Sequence, residues 1–445
     1  MLALRLTRRA HPAVQLRRLL VATASAGTGF LLLCALGHAL THPDSPGGSF
    51  LRLTWCAAPL AATVHFAVAV ARTDPGTRPR PGLAAIGLGP VRLMAVSATT
   101  TALSTLLGSM LALLFFLHLR GDLTGMPFDG AAADFLAASE PLPLPAALTL
   151  LSLVPAAASL SVAVTLRPRE PRPTPSEGPR RFGRFGAYGT TGARETFGAY
   201  GRFGARLRHP AGSRAAGAAP DPKESDTPSA SESHPPAPTS ADAPTTPAGL
   251  PWGTAVLAAG LAVEAYASTA TTTAPMPGGL PTGPAAVLIG WALTAVGLAL
   301  GGPGLTHLCG RLLQSARPGA LRLLAGRVLM EEATRIGRPL GVVCAVASAA
   351  YAMAVLPGPA ADGRSLGPLT TLGATVVTGC AIATLLTAAV EARQARADTT
   401  AALLRLGAPP TMLRSAAALR ASALLAVFGP LTLIVAELAA LPLAR

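Results

Sequence analysis

The stretch Arg396–Ser422, RADTTAALLRLGAPPTMLRSAAALRAS, lies between two long apolar runs near the C-terminus. Leu403, Leu404 and Leu406 flank Arg405, a spacing that predicts a short amphipathic helix. Gly407 permits the left-handed backbone that closes such a helix. Pro409 and Pro410 stiffen the exit and suit the opening turn of a following helix. Arg414 and Arg420 then lead back into apolar sequence. The stretch is too polar for a membrane span and too ordered for a simple turn. It reads as an elbow, and an elbow requires long helices on both sides.

Composition carries that reading outward. The chain has 445 residues, half of them apolar. Its mean hydropathy is +0.47, well above that of a soluble chain. Crossing about 30 Å of hydrocarbon takes roughly 20 apolar residues. The long Ala/Leu/Val runs lack the two-residue alternation of barrel strands, so the expected class is an all-α polytopic membrane protein. The net charge of +15 is almost entirely arginine, with Lys223 the single lysine. Lys223 sits in DPKESD, which has no Gly-rich turn, so no Walker-type nucleotide site is expected and no cofactor is implied. Cys34, Cys56, Cys309, Cys344 and Cys380 lie in or beside apolar runs without CxxC spacing. They read as small buried side chains rather than metal ligands or disulfides.

Nine spans are expected, at about Leu19–Leu40, Leu51–Ala71, Leu93–Leu117, Ala146–Leu166, Trp252–Ser268, Ala285–Leu308, Leu340–Leu356, Leu369–Val390 and Ala421–Leu441. Arg17 and Arg18 before the first span, and the Arg-rich loop after the second, predict a cytoplasmic N-terminus in a plasma membrane. The loop from Arg120 to Pro145, with Asp122, Asp129, Asp134 and Glu140, falls on the outside and reads as a solvated loop. The basic segment 310–338 has leucines at three-to-four spacing and is expected to lie as an amphipathic helix on the inner surface.

This divides the chain into a membrane half, 1–166, a linker, 167–249, and a second membrane half, 250–445. The linker is rich in Pro, Gly, Ser, Thr and Arg, and FGAYG occurs in it at Phe185–Gly189 and Phe197–Gly201. It cannot bury enough apolar surface to offset its ordering entropy and is expected to be a disordered cytoplasmic tether. No nucleic-acid partner is expected.

The two halves share an order of parts. LAAIGLGPVRLMAVSA, 83–98, resembles AALLRLGAPPTMLRSA, 401–416, when Gly89 is set on Gly407; Leu88 then meets Leu406 and Met94 meets Met412. Each segment separates an out-to-in span from an in-to-out span, as in a duplication about an axis normal to the membrane.

The second elbow, in the region 393–416, resembles the coupling segment of FtsX-like ABC transporter permeases, the two-copy type of high-GC Gram-positive bacteria. Arg396, Leu403, Leu404, Arg405, Leu406, Gly407 and Ala408 carry the resemblance, with Pro409 behind them. The first elbow, with Leu83, Leu88 and Gly89, has Gly87 and Pro90 where the second has Arg405 and Ala408, and is degenerate by comparison. The resemblance implies a separate ABC ATPase subunit as partner, docking on both elbows. It also implies export or release of a hydrophobic or amphiphilic substrate, with a second permease copy as a further possible partner. The chain itself is then no enzyme. A non-transporting sensor or scaffold built on the same plan is the alternative, and a secondary carrier a more distant one.

Ionisable residues inside spans are functional candidates by default. They are His65, Glu264 and Glu437, and for each a residue packed against a neighbour or facing an interface is favoured over an ion ligand.

Overall fold

In the computed structural model, residues 12–74, 89–123, 129–167, 249–267, 286–315, 319–355 and 367–440 are described. Eleven helices occur among them: α1 Pro12–Thr41, α2 Pro46–Trp55, α3 Ala57–Thr73, α4 Pro90–Arg120, α5 Leu144–Leu166, α6 Gly249–Ala267, α7 Ala286–Ser315, α8 Ala320–Val355, α9 Pro368–Ala395, α10 Ala397–Arg405 and α11 Pro410–Ala440. With α2 and α3 taken as one span, Pro46–Thr73, nine are long and apolar enough to cross a membrane. The protein is an all-α polytopic membrane protein. The expected linker, apart from its edge residues, lies outside the described residues.

The N-terminal helices form a bundle in which α4 packs on α1 and α5, and α3 packs on α1 and α5. Its core at one end is Leu33, Phe116, Leu136 and Leu151, with Phe30 set edge-on to Phe116 at 6.1 Å. Deeper in the bundle the contacts turn polar. The Ser25 hydroxyl donates to the Thr105 carbonyl at 2.7 Å, Ser109 donates to the Leu151 carbonyl at 3.1 Å, and Thr28 meets Thr63 at 2.9 Å. Short hydroxyl side chains let helices approach closely while satisfying each other inside hydrocarbon.

The C-terminal helices are joined differently. α7 packs against α6 on one side and α8 on the other, and glycines face backbone at both contacts. Gly253 lies against Gly301, and Gly302 against Gly337; a Cβ at either Gly253 or Gly302 would collide with the opposing main chain. α8 also packs on α11, where Ser348 donates to the Thr432 carbonyl at 3.0 Å.

α9 joins the halves. It follows α8 in sequence and packs on it, yet its larger contact is with α3 of the N-terminal bundle, and it also touches α1. Thr63 of α3 and Cys380 of α9 meet at 3.9 Å. Since α3 and α9 are the spans that precede the two elbows, corresponding helices of the two halves lie side by side. α1 and α8, which pack on α4 and α11 respectively, take matching places around them.

Two expectations are corrected. Segment 310–338 does not form a separate helix on the membrane surface. Its described residues belong to the end of α7 and to α8, which runs unbroken through Pro339. Of the leucines that suggested a lipid-facing stripe only Leu329 is buried, beside Ala325 and Ala333; Leu313, Leu321, Leu323 and Leu324 are half-buried and Leu312 is exposed, and Gly326 abuts Gly310 of α7. Small residues zip the two polar helix ends into a hairpin that lipid would otherwise separate. The loop from Arg120 to Pro145 keeps Asp122, Asp134 and Glu140 exposed, but it is not solvated throughout. Leu136 is 1% exposed inside the N-terminal core, and Arg120 is buried, pairing with Asp122 at 3.2 Å and donating to the Glu140 carbonyl. Gly121 and Gly130, both with positive φ, fold the described part of this loop back over the bundle as a cap.

Candidate coupling elbows

The second elbow is built from one short helix and two stops. α9 ends at Ala395, and after the single residue Arg396 α10 opens at Ala397 with Asp398 in its first turn, where a negative charge favours the helix dipole. At the far end Gly407 adopts φ +87. Its N–H donates to the Leu404 carbonyl at 3.1 Å, and the Ala408 N–H donates to the Leu403 carbonyl at 3.0 Å. These two bonds are the paired closure of a Schellman motif, which satisfies the last carbonyls of the helix. A Cβ at Gly407 would meet nothing within 4 Å, so the left-handed backbone alone demands glycine there. Pro410 then opens α11.

The elbow's apolar side is uncovered in this chain. Leu404 is 47% exposed and Leu406 84% exposed, while Leu403 and Ala408 are half-buried. Arg405, Gly407 and Pro409 are exposed. A rigid knob thus projects an apolar ridge with one arginine between the ends of α9 and α11.

Arg396 stands apart from that ridge. Its Nε lies 2.5 Å from Glu332 Oε1 of α8 and donates to the Ala392 carbonyl at 3.1 Å. It faces inward and ties the root of the elbow to the start of the α8 span. Arg420 of α11 lies close enough for its charge to act on both partners.

At the first elbow, Leu83 and Leu88 lie outside the described residues. Gly89 is the N-cap of α4, with φ −66 and ψ 168, an extended conformation open to any residue. The pairing of Gly89 with Gly407 therefore does not survive: one begins a helix and the other ends one. The common feature is the proline that opens the next span, Pro90 in α4 and Pro410 in α11. The end of α3, which leads into this elbow, is again tied back to an earlier span, α1. Arg18 Nη2 donates to Asp74 Oδ2 at 2.6 Å, and Arg17 Nη1 donates to Thr73 Oγ1 at 3.3 Å. Beside this pair a narrow cleft is lined by Ser97, Thr100, Thr101 and Ser104 of α4 together with apolar Val21 of α1 and Ala67, Val70 and Ala71 of α3.

The intramembrane candidates are scattered. His65 is half-buried on α3. Glu264 is 1% exposed between α6 and α7; Thr294 donates to its Oε1 at 2.9 Å, and its Oε2 is buried without a hydrogen-bond partner. Glu437 accepts from the Tyr351 hydroxyl at 3.3 Å near the end of α11. Among the described residues, no group of three or more His, Cys, Asp or Glu side chains is placed to hold a metal ion. The five cysteines are buried and free.

Sequence reasoning passed over Asp74, Glu332 and Thr294. Asp74 and Glu332 were legible only as charges near span ends, because each pairs with a residue far away in the chain. No protein-family model, no curated protein and no solved structure matches this chain.

Proposed function

We propose that the chain is the membrane-spanning subunit of an ABC transporter of the FtsX-like type. A separate ATPase docks on the elbows, and its nucleotide-driven motion shifts the spans to export or release a hydrophobic or amphiphilic substrate. The observation that carries this reading is the second elbow: a capped helix between two spans, with Leu404 and Leu406 exposed around Arg405. A knob whose backbone is closed at Gly407 and followed by two prolines transmits a displacement; a floppy loop absorbs it. In this reading the chain is a multi-pass plasma-membrane protein with its basic helix ends in the cytoplasm, where the ATPase is.

The test is purification from the native membrane followed by an ATPase assay. A stoichiometric nucleotide-binding subunit is expected, and Leu404→Asp or Arg405→Glu releases it. If no ATPase accompanies the wild-type chain, or both variants retain it, the reading fails.

Glu264 favours a second reading. A carboxyl buried between helices with one oxygen unpartnered suits a carrier that binds and releases a proton. Uptake or efflux driven by a proton gradient without ATP, and lost in Glu264→Gln, would select it over the first.

A further inference from the structure

We propose that Arg18–Asp74 and Glu332–Arg396 are matched latches: each fixes the end of the span entering one elbow to the span before it, α1 for the first and α8 for the second, the leading spans of the two elbows. Displacement of an elbow is thereby passed to α1 or to α8. The inference rests on the elbows being the docking elements, and it assigns Arg18, Asp74, Glu332 and Arg396 as positioning residues.

The two pairs occupy corresponding places. Arg18 lies near the start of α1, and Asp74 immediately follows α3, the span before the first elbow. Glu332 lies in the early part of α8, and Arg396 immediately follows α9, the span before the second elbow. The separations are 2.6 Å and 2.5 Å, and all four side chains are at least two-thirds buried, with exposures of 23% and 16% in one pair and 9% and 30% in the other. Ion pairs shielded in this way are screened less by salt than surface pairs and hold their geometry better.

The polarity is inverted between the halves. In the first, the base is on the leading span and the acid at the elbow; in the second, the acid is on the leading span and the base at the elbow. This matters because α3 and α9 are neighbours and α1 touches α9 as well. If α1 engaged the wrong elbow, Arg18 would meet Arg396. If α8 did so, Glu332 would meet Asp74. Both are like-charge contacts, so the inversion restricts each leading span to its own elbow. Two pairs of the same polarity would leave both cross-pairings attractive.

The test is hydrogen exchange, read by mass spectrometry, on the full-length protein in lipid nanodiscs. In Glu332→Gln, exchange in α10 and the first turns of α8 is expected to rise about tenfold, the factor that corresponds to about 1.4 kcal/mol of local stability. Exchange at the ends of α1 and α3 stays as in wild type. Asp74→Asn is expected to do the reverse. Arg396→Glu loosens the second elbow further, and Glu332→Arg with Arg396→Glu restores protection. That rescue separates a charge latch from ordinary packing. Unchanged exchange in Glu332→Gln, loosening of both halves together, or a double variant no better than Arg396→Glu would overturn the proposal. A separate arm asks whether an ATPase co-purifies. If exchange behaves as expected and no ATPase is found, it is the permease reading that falls, and the latches stand as ties between elbow and span.

Discussion

The two halves of the membrane region use the same means to hold their helices together in different proportion. In the N-terminal bundle, large side chains fill the space and hydroxyls bridge it: Phe66, Phe116 and Leu136 are buried beside Ser25, Thr28, Thr105 and Ser109. Around α7, by contrast, main chain meets main chain, with Gly253 on Gly301 and Gly302 on Gly337. Lipid tails are as apolar as leucine, so burying apolar surface does little to join helices in a bilayer; close packing and polar bridges must do it. One half has side chains that can adjust. The other is joined mainly by backbone that cannot, a contact the first half also makes where Gly108 of α4 meets the Ala22 carbonyl of α1.

That contrast is broken most severely by Gly302→Val. The added atoms would collide with the Gly337 backbone, which has no rotamer to change. A loss on the order of 5 kcal/mol is expected, at the exceptional end for one substitution. Thermal melting in a fixed detergent should show it, with the monodisperse peak lost on size-exclusion chromatography. Phe116→Ala acts in the other half by leaving a cavity. It should cost about 3–5 kcal/mol, less if Leu33 and Leu151 collapse into the space. If Gly302→Val proved the milder of the two, the rigidity assigned to the contacts around α7 would be wrong.

The contrast was not legible in the sequence, although the spans were. Hydropathy is a local property, so windows around Leu93–Leu117 or Leu369–Val390 declare themselves residue by residue. Helix contacts are not local. Gly302 sits in apolar LGGPGL and Gly337 in basic RIGRPLG, and nothing nearby says that they touch. The leucine spacing of 310–338 marked a helix, but the residues that seat α8 on α7 are the small ones, Gly326 against Gly310 with Ala325 and Ala333 buried nearby, and small residues do not declare a face by hydropathy. The elbow shows the same limit. The stop at Gly407 follows from adjacent residues and was readable from them. The inward turn of Arg396 depends on Glu332, and the role of Gly89 depends on where α4 begins.

Smaller effects sharpen the comparison at single groups. Gly407→Ala puts a Cβ on a left-handed backbone in an open place, so only strain is added, about 1–2 kcal/mol. That strain falls on the elbow, and the expected sign is faster hydrogen exchange in α10 with little change in overall melting. Ser109→Ala removes one donor from the α4–α5 contact and should cost about 0.6 kcal/mol, near the average for such bonds within membranes. A larger loss, measured by melting beside Ser25→Ala, would show that the hydroxyls act as one network.

Gly379→Ala gives the smallest effect and the cleanest control. Gly379 is in α9, and a Cβ there would meet nothing within 4 Å. The substitution adds no collision and leaves an ordinary helical backbone in place. It also narrows the range of conformations open to the unfolded chain, so stability should be unchanged or raised by up to about 1 kcal/mol. Gly302→Ala adds the same single atom to the same kind of helix and should destabilise. Melting both in one detergent isolates what surrounds the glycine, because propensity, size and chemistry are held equal. Equal shifts would mean that the tight contacts around α7 yield at no cost, and that the helices there are held by something other than the approach of their backbones.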